Sequence, residues 1–146
     1  MSDIHIRPIH ADDESTWRAL WDQYIAFYQV DLADEISAQL FQRLIAGEPH
    51  FAFLAELNGK VIGFVHGLPH ASTWTLQQYC YLEDLFVAPA ARGSGAARAL
   101  INAIYDEADK RDCVRVYWHT DRGNVRARKL YDKVATLSDF VQYRRR

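Results

Sequence analysis

A chain of 146 residues, 49% of them hydrophobic, can build one domain with a proper core and needs neither staples nor a metal to fold. Its 17 basic and 19 acidic side chains leave a formal net charge of -2, which offers no general attraction to nucleic acid or an anionic membrane. The opening MSDIHIRPIH has no apolar signal core and no run is long enough to span a bilayer. Cys80 and Cys113 lack metal or C-x-x-C spacing, so reduced core cysteines in a cytosolic protein are expected.

In chain order, Ile4 to Arg7 alternates and then meets Pro8, which predicts a short first strand. Asp12 or Asp13 suits the N-cap of the helix that follows. Trp17, Leu20, Trp21, Tyr24, Ile25 and Tyr28 recur at helical spacing and form one broad aromatic face. Most of that stripe belongs to a core, with one or two rings, Tyr24 and Tyr28, expected to line a substrate cleft. Leu40, Phe41, Leu44 and Ile45 mark a second helix, ended by Gly47 and Pro49. Phe51 to Leu57 and Val61 to Val65 read as strands joined by a tight turn at Asn58-Gly59. A loop around Pro69 to Trp74 should lead into the next strand.

Tyr79 to Val87 is aromatic and branched-aliphatic, as a mostly buried strand requires. Ala88-Pro89-Ala90-Ala91 ends it, because Pro89 cannot donate to a ladder. From Arg92 a helix opens, with Ala96, Leu100, Ile101 and Ile104 at helical spacing. Strand, glycine turn and helix N-terminus together make an anion site built from backbone. The first-turn N–H groups lack partners within the helix and its dipole favours negative charge. Gly93 and Gly95 permit close approach of the main chain, and Arg92 adds a fixed positive charge. No Lys-Ser or Lys-Thr follows at Walker spacing, and Arg98 stands where a dinucleotide fingerprint wants its third glycine. After the glycine-loop helix, Val114 to His119 is the next strand, Asn124 to Val134 another clear helix, and Phe140 to Tyr143 a last short strand. Arg144-Arg145-Arg146 reads as a frayed, solvated end. No internal repeat is present. The order predicts an α/β fold, antiparallel early, with one parallel crossover at the central strand.

The glycine loop, Arg92-x-x-Gly95-x-Ala97 preceded by Val87-Ala88-Pro89, resembles the acyl-CoA loop of the GNAT superfamily of N-acetyltransferases. Asn124-Val125-Arg126-Ala127-Arg128-Lys129-Leu130-Tyr131 resembles that family's second motif, N-x-x-A-R-x-L-Y. The resemblance covers nearly the whole chain, residues 1–146. It implies a single acetyl-CoA-dependent domain: a mixed central sheet, helices on both faces and a splayed central strand pair. It further implies that Leu85, Phe86, Val87, Arg92, Gly93, Ser94, Gly95, Ala96, Ala97, Asn124, Ala127 and Tyr131 hold acetyl-CoA, with no metal. From the residues alone, Asn124 serves equally as a helix N-cap and Tyr131 as a core aromatic. Where many relatives have Gly at the end of the loop, before Asn124 an acid, and Gly after the last helix, this chain has Ala97, Gly123 and Ala135.

The implied chemistry is acyl transfer to an amine. The attacking nitrogen must be neutral, whereas an aliphatic ammonium titrates near about 10.4, so a base is needed. An oxyanion on the thioester needs a preset donor, which the resemblance puts at a backbone N–H near Leu85 to Val87. Tyr131 would protonate the departing thiolate. Tyr81-Leu82-Glu83-Asp84-Leu85-Phe86-Val87 resembles the matching strand of spermidine/spermine and yeast-type histone/polyamine acetyltransferases, where the first acid relays a proton through water. That role falls on Glu83, with Asp84 orienting substrate or structure. Strict alternation would put the two acids on opposite faces of the sheet. The expected acceptor is a small amine of polyamine, lysine-like or amino-acid type, and relatives of this kind are commonly homodimers. A protein lysine or N-terminus is the alternative acceptor, and a non-catalytic acyl-CoA-binding module the alternative of another class.

Overall fold

Asn58 and Gly59, with φ of 53° and 78°, make the tight turn their sequence predicts and so set the register of the sheet's first hairpin. The computed structural model describes residues 3–146. Around that hairpin, β2 (Phe51–Leu57) and β3 (Lys60–Ala71), lie β1 (Ile4–Pro8) on one side and β4 (Gln78–Val87) on the other. With β5 (Cys113–Tyr117) they form a five-stranded sheet in sequence order. Each neighbouring pair is antiparallel except β4 and β5, which run parallel. The helices are α1 (Glu14–Phe27), α2 (Asp34–Ala46), α3 (Ala96–Lys110) and α4 (Val125–Val134).

Two cores form on the two faces. One packs Leu100, Ile101 and Ile104 of α3 onto Val65, Cys80 and Leu82, with Leu130, Tyr131 and Val134 of α4 at its margin. The other packs Trp17, Leu20 and Trp21 of α1 and Phe41 and Leu44 of α2 onto Leu54 and Phe64. This is the expected mixed sheet with helices on both faces. The splay is present too. The β4–β5 ladder ends at Tyr81 and Tyr117, while β4 runs on to Val87 with only β3 beside it.

Four local expectations need correction. β3 does not yield to a loop at Pro69 but continues to Ala71. Its β2 partner stops opposite Gly67, so the proline sits where that side of the strand is already an edge and lacks no ladder donor. Asp13 directly precedes α1, yet its carboxylate turns back to accept from the His10 amide at 2.7 Å and to clamp Arg7 at 2.8 Å. Phe140 to Tyr143 forms no strand, because no described strand lies beyond β5 to pair with it.

The fourth concerns Glu83. In the β3–β4 register His66 faces Asp84 and Gly67 faces Leu82, leaving Glu83 as an unpaired extra residue, a β-bulge. The bulge turns over the alternation. Cys80 and Leu82 before it, and Leu85 and Val87 after it, all join the α3 core. Glu83 and Asp84 therefore both belong to the α1 side of the sheet.

Candidate active site

Where β4 leaves β5, the sequence-derived acids meet the end of the aromatic helix. Trp17 and Trp21 are core, as most of that stripe was expected to be, whereas Tyr24 and Tyr28 lie one and two turns further along at the cleft. The Tyr24 hydroxyl donates to Asp84 Oδ1 at 2.8 Å, and the two tyrosine rings meet edge to face at 5.1 Å. Desolvation, then the Asp84 charge, pushes the Tyr24 phenol far above its ordinary value. Burial followed by the charges of Asp121 and Asp84 pushes Tyr28 upward as well, so Tyr28 stands between β4 and the loop entering α4. Glu83, on the bulge, keeps a solvent-facing side. Partial burial and then its Asp84 neighbour push its carboxyl above the usual carboxylate range, the direction a base needs to work near neutral pH.

Tyr131 reaches the same gap from the other face. Its ring meets Trp118 edge to face at 5.4 Å, and burial followed by the nearby Tyr28 raises its phenol. The hydroxyl thus stays protonated and able to donate. Asn124 caps α4, its Oδ1 accepting from the Ala127 amide at 3.3 Å while its Nδ2 donates to Thr120.

The glycine loop follows directly from β4. A short turn at Pro89–Ala91 leads through Arg92 to Gly93 and Gly95, at φ of 83° and 89°. Both are left-handed conformations that side chains avoid, and a Cβ added at either would meet nothing within 4 Å. The loop thus presents open backbone in front of the α3 N-terminus, where Ala96 is buried and Arg92 exposed. A diphosphate fits such a surface. Leu85, Phe86 and Val87 form the stretch of β4 that β5 has left, so N–H groups not turned toward β3 face the gap.

The sequence offers His66 only as a possible cleft residue, alongside His70 and Trp74, and does not foresee its partners. Buried in β3, His66 bridges Trp17 and Asp84. The only local sign was a lone imidazole in the apolar run Val61 to Val65 and beyond, and such a group needs partners. His70 and His119, left unassigned, join Tyr81 and Tyr117 in a wall of rings beside Glu83. Tyr81 and Tyr117 stack at 5.0 Å, His70 contacts Tyr117 Oη at 2.6 Å, and the Tyr81 hydroxyl contacts His119 Nδ1 at 3.1 Å. Trp74 takes no part, being 90% exposed. Asp31, Asp34 and Glu35 follow the aromatic helix in sequence and could have contributed to an acidic acceptor pocket, but Asp34 pairs with Arg18.

A splayed parallel pair, a backbone anion loop at one end of it and paired acids with tyrosines at the other define an acyl-CoA-dependent transferase. Comparison with known proteins agrees. Residues 14–135 match the acetyltransferase (GNAT) family, and the chain belongs to it. It is 36% identical to a D-amino-acid N-acetyltransferase of Saccharomyces cerevisiae over 97% of this chain and 90% of that one. It is 38% identical to a thialysine N-epsilon-acetyltransferase of Caenorhabditis elegans over 72% of this chain and 62% of that one. Among solved structures, an aminoglycoside N-acetyltransferase in complex with CoA superposes with a TM-score of 0.85 at 21% identity, covering 100% of this chain and 96% of that one. A ribosomal-protein-alanine N-acetyltransferase from Brucella melitensis superposes with a TM-score of 0.82 at 23% identity, covering 99% of both chains. The protein is an acetyl-CoA-dependent N-acetyltransferase.

Proposed function

We propose that the acceptor is a primary amine of a small molecule, of polyamine, lysine-like or amino-acid type, acetylated by direct transfer in a ternary complex. The observation that carries this reading is the placement of Glu83, Asp84, Tyr24 and Tyr28 on one side of the β4 bulge. An ammonium is attracted by paired carboxylates and aromatic faces. The relatives named above act on D-amino acids and thialysine, which are small amines.

Acetyl-CoA supplies the activated acyl group. The loop from Arg92 to Ala97 holds its diphosphate, and Leu85 to Val87 line its arm and offer an N–H to the developing oxyanion. Asn124 sets the start of α4, Ala127 packs near the arm, and Tyr131 faces the sulfur. Glu83 takes the amine's proton through water. As the N–C bond forms and the C–S bond breaks, Tyr131 protonates the leaving thiolate. Asp84 orients the amine. The free thiols Cys80 and Cys113 accord with a cytosolic setting. A homodimer is part of the same reading, because Phe140 and Tyr143 are 87% and 94% exposed and β5 is the last strand of its sheet. A monomeric mass by light scattering would remove that element.

Product mass spectrometry after incubation with acetyl-CoA and a panel of polyamines, amino acids, lysine analogues and peptides tests the assignment. Acetylated small amines are expected. Modification of peptides alone would transfer the activity to protein acceptors, and tight acetyl-CoA binding with no product would leave a binding module. In the same assay Tyr131→Phe should lower kcat about 10²-fold with acetyl-CoA affinity little changed.

A further inference from the structure

Beneath the two acids lies a buried chain of polar groups that the transfer chemistry does not use. The Trp17 indole Nε1 is 3.0 Å from His66 Nε2, and His66 Nδ1 is 2.9 Å from Asp84 Oδ2. The remaining carboxylate oxygen, Oδ1, accepts from Tyr24. An indole N–H can only donate, so His66 Nε2 must present its lone pair. The proton of the neutral ring then sits on Nδ1, which donates to Asp84. The ring is held flat by Phe64, stacked at 4.7 Å, and flanked by Trp21 at 5.5 Å.

This geometry decides what kind of pair His66 and Asp84 make. A second proton on His66 would have to enter at Nε2, setting N–H against N–H where Trp17 is 0% and His66 1% exposed. A buried donor left without an acceptor costs about 1–3 kcal/mol, and the desolvated imidazolium costs more. We propose that Trp17 and His66 are positioning residues that lock His66 as the neutral Nδ1–H tautomer, so that Asp84 remains an oriented carboxylate whose charge is not cancelled beneath the acceptor amine. An imidazolium there would neutralise Asp84. The neutral ring fixes its direction and leaves its charge for the incoming ammonium and for Glu83. The titratable groups around His66 are Asp84 and Glu83 on β4, Tyr24 on α1 and His50 just before β2.

The lock itself stands apart from the choice of acceptor; its kinetic consequence rests on the small-amine reading. The decisive experiment is NMR of the histidine ring nitrogens in the wild-type protein. His66 should show an unprotonated Nε2 and a protonated Nδ1. A proton on Nε2 would overturn the proposal whatever amine the enzyme uses. Trp17→Phe keeps a ring but removes the N–H, and should let a protonated Nε2 appear in the same spectrum while the amine KM rises about tenfold, a change of about 1.4 kcal/mol. Because that change also loosens the core, a second pair of variants is needed. His66→Asn can still offer an N–H to Asp84 and should keep the amine KM within about threefold, whereas His66→Phe should raise it about tenfold, with acetyl-CoA KM unchanged in both. Equal losses in His66→Asn and His66→Phe would reduce the chain to packing. A wild type inactive on every small amine would instead defeat the acceptor assignment, with the nitrogen spectrum still deciding the tautomer.

Discussion

Asp13 and Glu83 are two acids of this fold whose surroundings push them in opposite directions. Asp13, 8% exposed, accepts both forks of Arg7, and that hydrogen-bonded guanidinium holds its carboxyl below the usual range in spite of burial. Glu83 has no such hydrogen-bonded guanidinium among the described residues. Partial burial and the Asp84 charge push it upward. A paired acid is committed to holding the chain in place, while an acid denied a partner keeps a proton equilibrium that chemistry can draw on.

Replacing each acid by its amide should separate these roles. Glu83→Gln is expected to lower kcat/KM about 10³-fold, as removal of a general base does, with Tm little changed. The wild-type rate should rise with pH through the elevated Glu83 value, since only the carboxylate accepts a proton. In Asp84→Asn that rise should move to lower pH, and an unmoved profile would mean that Glu83 is not the titrating base. Asp13→Asn should behave in the reverse manner, costing about 2 kcal/mol in denaturant titrations with kcat/KM nearly unchanged. The sign of its pH dependence follows from the lowered carboxyl. Its contribution is present above the unfolded carboxylate value and is lost as pH falls through the folded one. The smallest effect belongs to a third acid, Asp34. Its 2.7 Å contact with Arg18 is made by a side chain 95% exposed, and Asp34→Asn should shift stability by less than about 0.5 kcal/mol.

How far such differences can be read from sequence depends on how local they are. The Asn58-Gly59 turn, the helical stripes and the loop from Arg92 to Ala97 are each written in consecutive residues, and all three formed as expected. The whole resemblance rested on such stretches. The bulge at Glu83 is different: nothing in QYCYLEDLFV marks an extra residue, and only pairing with β3 shows that one has no partner. The same holds for His66, whose contacts with Trp17 and Asp84 are 49 and 18 positions away. Pro69 looked like an end because a proline in a central strand loses a bond. β2 had already stopped, so there was no bond to lose. Phe140 to Tyr143 has strand-like composition, but composition cannot supply the neighbour that a strand requires.

The extra residue in β4 has a last consequence. Every side chain after it owes its direction to that one supernumerary position, much as teeth on a zip depend on a single offset. Ironing the bulge into regular pairing with all its residues kept would send Phe86 toward the aliphatic helix and Leu85 and Val87 toward the tyrosines, scrambling both cores at once. Excision of Glu83 would instead leave plain alternation, with those three side chains still on their own faces and one acid gone from the cleft.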